Sequence, residues 1–213
     1  KPERLIVLET EGWKIVDEAS HKALERLLKS AEAAGITLIR RADHPAVEAL
    51  EVSIADAANV CGTITAWENR WALRNLIDRS PEGVSQRIQD TVAYAESLNP
   101  DDYRSLLMAR AYARSCHNEI SSLSDAIITF SCPGPASYWP GDIEGQPLAP
   151  KPTVDPIFNY PGSMLGAPVT TIPVMAVSGL PVGLQVMGQV HEDARIVGIA
   201  RWLNEKLPPS VIE

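Results

Sequence analysis

Along this chain the spacing of apolar residues changes from strand-like to helix-like and back. Leu5 to Glu9 is a short, nearly continuous apolar run, the pattern of a strand buried on both faces. From Asp17 to Gly35, Ala23, Leu24, Leu27, Leu28 and Ala31 recur at three- and four-residue steps. That predicts an amphipathic helix with an acidic start and a glycine stop. Ile36 to Arg41 returns to a strand, so the chain opens with a strand–helix–strand unit, which implies a parallel pair with the helix on one face.

The middle of the chain is helical by pattern. Pro45 to Asp78 reads as helix, with Gly62 and the β-branched Thr63-Ile64-Thr65 as the place to expect a kink or break. Trp67 and Trp71 lie four apart on one helical face, which predicts packing, with a substrate wall as the sharper alternative. Ser80-Pro81 and Asn99-Pro100 each carry the grammar of a helix start, which predicts two antiparallel helices with a short connection. Ala126 to Phe130 is a buried strand that stops at Pro133-Gly134.

From Pro133 to Pro156 the chain holds seven prolines and three glycines, which excludes regular structure through most of it. Tyr138 and Trp139 are costly to leave in water, so an ordered surface loop is expected, and loops of this length are often functional. Beyond it, "VTTIPVMAV" and "LPVGLQVMGQ" are two strand-type runs joined by Ser178-Gly179, a hairpin pattern. The run from His191 to Leu207 closes the chain as an amphipathic helix with Glu192 and Asp193 in its first turn. No internal repeat is visible.

Composition narrows the function classes. The 213 residues are 45% hydrophobic and 22% charged, enough for one α/β domain spanning 1–213 with a substantial core. A net charge of -8 with scattered cations argues against a nucleic-acid partner. No apolar run approaches the roughly 20 residues that span a bilayer. Cys61, Cys116 and Cys132 show no CxxC spacing, and His21, His44, His117 and His191 show no HxxxH pairing. Reduced thiols, no metal site, no cofactor and a cytoplasmic location are the expectation. A buried strand beginning within four residues of Lys1 leads to the expectation of further polypeptide ahead of it.

The C-terminal third carries a resemblance. "DPIFNYPGSMLGAPVTTIPV" and "GLPVGLQVMGQVHEDARIVGIARWL" are similar to the end of amidase signature enzymes, with Asn159, Gly162, Gly166, Pro168 and Pro173 in one block. Leu180-Pro181-Val182-Gly183-Leu184-Gln185 and Gly188 form another, and Ser124 to Ala136 resembles the strand whose end carries Pro-Thr in relatives; here Ser131-Cys132-Pro133 stands instead. The resemblance implies a partial amidase-signature α/β fold: a mixed, twisted sheet flanked by helices, with the C-terminal hairpin followed by a helix. It also implies a Ser–cis-Ser–Lys group that cleaves an amide through an acyl-enzyme, with backbone N–H groups holding the oxyanion.

The Gly/Ser-rich segment that would carry those residues is absent from the 213 residues, so no catalytic residue is assigned. Ser163 lacks a strand–elbow–helix setting, and Cys132 lacks a visible base. The expected contribution is the substrate pocket and scaffold of an amidase, with an N-terminal catalytic half as partner, on the same or a separate polypeptide. Cys132, Tyr138, Trp139, Phe158 and Asn159 are the candidate pocket wall, because ligands gather at the carboxyl ends of strands and the resemblance places these segments there. Each has a plainer alternative: Phe158 in the core, Asn159 in a turn, Trp139 as a loop anchor. A small amide or ureide is the expected substrate. The acidic charge favours it over the tRNA-linked branch of the family. Gly183, Gly188 and Gln185 are expected to pack against the catalytic loop of the companion half. A non-catalytic interaction module, self-assembling or bound to another subunit, is the alternative.

Overall fold

A computed structural model describes residues 1–136 and 156–213. Its frame is a six-stranded mixed sheet in the order β2-β1-β3-β5-β4-β6. The opening unit forms as its pattern predicts. β1 (Arg4–Val7) and β2 (Thr37–Ile39) pair in parallel, joined by α1 (Glu18–Ala33). Asp17 starts α1 by accepting the Ser20 N–H at 2.8 Å, and Gly35 leaves it at a left-handed φ of 77°. The buried face of α1 holds Leu24, Leu27 and Leu28, each contributing about 2 kcal/mol by burial.

β3 (Ala126–Phe130) runs parallel to β1 on the other side, every residue buried. The hairpin of β4 (Val169–Val177) and β5 (Leu180–Met187) turns at Ser178-Gly179. β5 lies antiparallel between β3 and β4. Pro173, which cannot donate to a ladder, falls where the β4–β5 register shifts between Ile172 and Met175, as prolines inside sheets do. A short β6 (Ser210–Ile212), parallel to β4, closes the far edge; the three-residue run carried no pattern in the sequence.

Alternating strand positions feed two cores. Leu5, Val7, Ile128, Phe130, Val182, Leu184 and Val186 meet α1 and α7 (Asp193–Lys206) on one face. Ile6, Leu8, Ile127 and Met187 meet the helical middle of the chain on the other. That middle consists of α2 (Pro45–Ser53), α3 (Ala57–Arg79), α4 (Gln86–Ser97) and α5 (Pro100–Glu119), with α6 (Asn159–Leu165) tucked beside them.

Here the structure departs from the sequence expectations in four ways. The helical break falls at Ile54–Asp56, and α3 runs straight through Gly62, where a Cβ would meet nothing within 4 Å. Trp67 does pack, stacked on Tyr103 and with the Arg70 guanidinium over its ring, but Trp71 is 66% exposed. Ser80-Pro81 opens only a 3-10 turn, Pro81–Gly83, and α4 begins after Ser85. And α4 packs on α3 rather than pairing with α5. The Asn99 start is as predicted: its side chain accepts the Asp101 and Asp102 N–H groups, and the Asp102 carboxylate accepts the Asn99 N–H.

Candidate functional site

The connections set two strand ends side by side. From β1 the chain crosses one face through α1 to β2; from β2 it crosses the other face through α2–α5 to β3. β1 and β3 pair in parallel, so their carboxyl ends are neighbours, and ligands of open α/β sheets gather at the carboxyl ends of strands.

A hydrogen-bonded seam ties these two ends together. The Leu8 N–H donates to Ile128 O at 2.9 Å, the Thr129 hydroxyl to Leu8 O at 2.8 Å, and the Trp13 indole N–H to that hydroxyl at 3.0 Å. Thr129 is 1% exposed, so both of its bonds are made away from water, where leaving either unmade would cost about 1–3 kcal/mol. Trp13 and His21 lie against Phe130, with ring centroids 5.2 and 5.5 Å away.

Past Phe130 the chain enters the segment singled out from the sequence. Ser131 N–H donates to Gly183 O at 3.1 Å, so the end of β3 is still held to β5. Cys132 is half-buried; its thiol donates to Gly134 O at 3.1 Å and lies 3.8 Å from Ser131 Oγ. Among the described residues no imidazole or carboxylate is one of its hydrogen-bond partners. The turn that follows rests on the start of α1: Asp17 N–H donates to Pro133 O, and a Cβ on Gly134 would come 2.4 Å from Asp17 Oδ2. Partial burial opposes ionisation of Asp17, but bonds from the Ser20 N–H and hydroxyl and from the Ala19 N–H outweigh it and hold the pKa below the usual carboxylate value.

The other candidates divide. Phe158 is fully buried, its ring edge-on to Phe130 and so close to Gly12 that a Cβ there would sit 2.7 Å away. It lies in the core and offers no surface of its own. Asn159 is exposed at the first residue of α6. Tyr138 and Trp139, with most of the Pro133–Pro156 loop, lie outside the described residues. The structure thus brings Cys132 and Phe158 to the same region, one at its surface and one beneath it. Ser163 lies elsewhere, with Cys61 and Tyr160 in the lining of a cavity of about 500 Å³.

Gly183 receives an account different from the expected one. A Cβ there would meet Ser131 Oγ at 2.2 Å and Thr171 Cγ2 at 2.6 Å, both within this chain, and a Cβ on Gly188 would meet Ile196 at 2.2 Å. Gln185, 3% exposed, lies in register between Thr129 and Thr171, and its Oε1 has no donor among the described residues.

Two buried titratable groups were missed. Glu51 is 5% exposed and accepts the Glu9 N–H at 2.7 Å, capping the exit of β1. Burial, above all, raises its pKa to about 7. His117, in the last turn of α5, is 2% exposed, and burial lowers its pKa to about 4. Spacing could have flagged Glu51, which stands four residues after Val47 on the inward face of α2. Among the described residues no cluster of three or more His, Cys, Asp and Glu is placed to hold a metal.

Comparison with known proteins fits this architecture. No protein-family model matches the chain. A glutamyl-tRNA(Gln) amidotransferase subunit from Prochlorococcus marinus (strain MIT 9312) is 29% identical over 136 residues, 59% of this chain and 28% of its own length. The protein of the same name from Thermotoga maritima is 34% identical over 91 residues, 43% of this chain and 18% of its own. A crystal structure of an amidase superposes with a TM-score of 0.73 at 21% identity, over 95% of this chain and 45% of that one. A bacterial aryl acylamidase described as an amidase signature enzyme gives 0.68 at 11% identity, over 96% and 43%. The chain shares its fold with amidases, one of them an amidase signature enzyme. It carries their α/β fold, yet it spans under a third of the curated relatives' length and about 45% of the amidase chain, a share consistent with a C-terminal half. These two curated relatives carry amidotransferase names.

Proposed function

We propose that this chain is the substrate-pocket and scaffold half of an amide C–N hydrolase, inactive by itself, whose catalytic Ser–cis-Ser–Lys half is a separate stretch of polypeptide. One observation carries the reading. Almost the whole chain follows the amidase fold while covering about 45% of it, and among the described residues Cys132, a nucleophile candidate of the sequence, has no base among its hydrogen-bond partners. A serine or thiol without a paired base is a weak nucleophile at neutral pH.

In the complete enzyme the companion's serine attacks the amide carbonyl, the amine leaves, and water releases the acyl group. The part assigned to this chain is to hold the acyl side of a small amide or ureide at the β1/β3 crevice. Cys132, Tyr138, Trp139 and Asn159 form its wall, Phe158 stiffens it from behind, and the Thr129–Trp13 seam keeps the two strand ends together. The enzyme is cytoplasmic in this reading, and among the described residues no helix is long and apolar enough to cross a membrane.

A second reading, an amidase-derived assembly module, draws on the exposed apolar residues of the helical layer: Trp71 at 66%, Met108 at 62% and Tyr112 at 61%. Such surface favours self-association or a partner subunit.

The test is hydrolysis of a panel of simple amides and ureides by the 213-residue chain, alone and co-expressed with a complementary amidase half. Activity only in the co-expressed sample supports the proposal. Turnover by the chain alone contradicts it, and a stable oligomer inactive under both conditions favours the module.

A further inference from the structure

We infer that a second ligand site, for a small carboxylate, lies at the opposite end of the sheet from the β1/β3 crevice, where Arg114, His117 and Gln189 share a pocket beside Gly166. The inference does not rest on amide hydrolysis. The pocket has a volume of about 310 Å³, at the small end of ligand sites. The end of α5 supplies Arg114 and His117, the turn after α6 supplies Gly166, and the segment after β5 supplies Gln189 and Val190.

Arg114 is oriented without being consumed. Its Nε donates to Met164 O at 3.0 Å, which fixes the guanidinium plane, and its Nη groups have no acceptor among the described residues. Gly166 holds a left-handed φ of 69°, and a Cβ there would sit 3.1 Å from Arg114 Nη2. Glycine therefore keeps the approach to the guanidinium clear. Two outward N–H groups in a fixed plane match a carboxylate as a bidentate pair, which a point-charge anion such as chloride cannot copy.

The surroundings favour the same ligand. His117 forms part of the wall, neutral at pH 7, and its Nε2 has no hydrogen-bond partner among the described residues. Gln189 is held by its Nε2 on His117 O at 2.7 Å. The nearby acid, Glu192, is already engaged by the Gln189 N–H at 3.2 Å and by Arg195 at 2.8 Å, so it does not occupy Arg114.

Titration of the 213-residue chain with sodium acetate, at ionic strength held constant with sodium chloride, tests the site through the His117 ring resonances. A saturable shift is expected with acetate and none with chloride. Arg114→Gln weakens binding at least about tenfold, as loss of a charge-assisted pair should, while Arg104→Gln, an exposed arginine on the same helix, leaves it unchanged. Val190→Trp, at the 46% exposed rim, blocks the pocket without disturbing the core and decides the matter if Arg114→Gln misfolds. An equal response to chloride, no saturable shift, or acetate binding retained in Val190→Trp would overturn the inference.

Discussion

Gly62 and Gly183 are the same residue in opposite surroundings. At Gly183, in the hairpin, an added Cβ would collide with two side chains; at Gly62, on α3, it would touch nothing within 4 Å. The difference extends to their neighbourhoods. β5 is sealed between β3 and β4, whereas α3 and α4 are flanked by cavities of about 650 and 500 Å³ that meet at Gly62 and Ala66. The hairpin is a finished interior and the helical layer is not. Natural interiors are packed to crystal-like density, and around Gly62 and Ala66 the helical layer is not.

The largest expected effect comes from forcing the closed side. Gly183→Val should destabilise the chain by about 3 kcal/mol or more, because Ser131 Oγ and Thr171 Cγ2 already fill the place of its side chain; chemical denaturation measures it. A shift within about 0.5 kcal/mol, the usual range of an unobstructed surface change, would show that the hairpin is looser than its contacts imply.

Next is the buried carboxyl beside β1. With the Glu51 pKa raised to about 7 from an ordinary 4.5, the folded state holds more protons than the unfolded state between those values. Stability must therefore fall as pH rises through that window, by on the order of 3 kcal/mol. Glu51→Gln keeps an acceptor for the Glu9 N–H and should remove that fall, leaving the variant more stable than the parent at pH 8. His117 carries the opposite sign: its pKa of about 4 makes stability decline as pH drops from 6.5. Denaturation midpoints from pH 4 to 8 separate the two, and an unchanged slope in Glu51→Gln would refute the assignment.

The smallest effect belongs to the open side. Gly62→Ala should stabilise α3 by about 0.5–1 kcal/mol, since nothing obstructs the methyl and the unfolded chain loses freedom. Thermal unfolding would read this as a modest rise, and a drop would mean that something unseen packs there.

What the sequence disclosed follows the same division. β1, α1, β3 and the hairpin were legible because their patterning and turn residues act locally. Asn99 was legible as a cap because its partners are two and three residues away. Ser80 misled because Pro81 imitates a helix start, while Ser85 carries the real one. Gly183 was recognised as a place of close approach, and the neighbours found there, Ser131 and Thr171, belong to this chain. Ser131 lies far earlier in the chain, and only the strand order brings it alongside. Glu51 and His117 escaped for a related reason: burial of a charge is decided by elements far apart in sequence, as with Glu9 against Glu51. Of the pocket wall, Cys132 and Phe158 can be placed, while Tyr138 and Trp139 fall outside the described residues.

The central proposition is that the reactive wall of the cleft is supplied by other polypeptide. A serine-reactive fluorophosphonate, followed by peptide mass mapping, interrogates it directly. The account predicts that the 213-residue chain alone takes up no adduct and that, in the presence of a complementary half, the label lands on that half. An adduct on Ser131 or Ser163 of the isolated chain would contradict it.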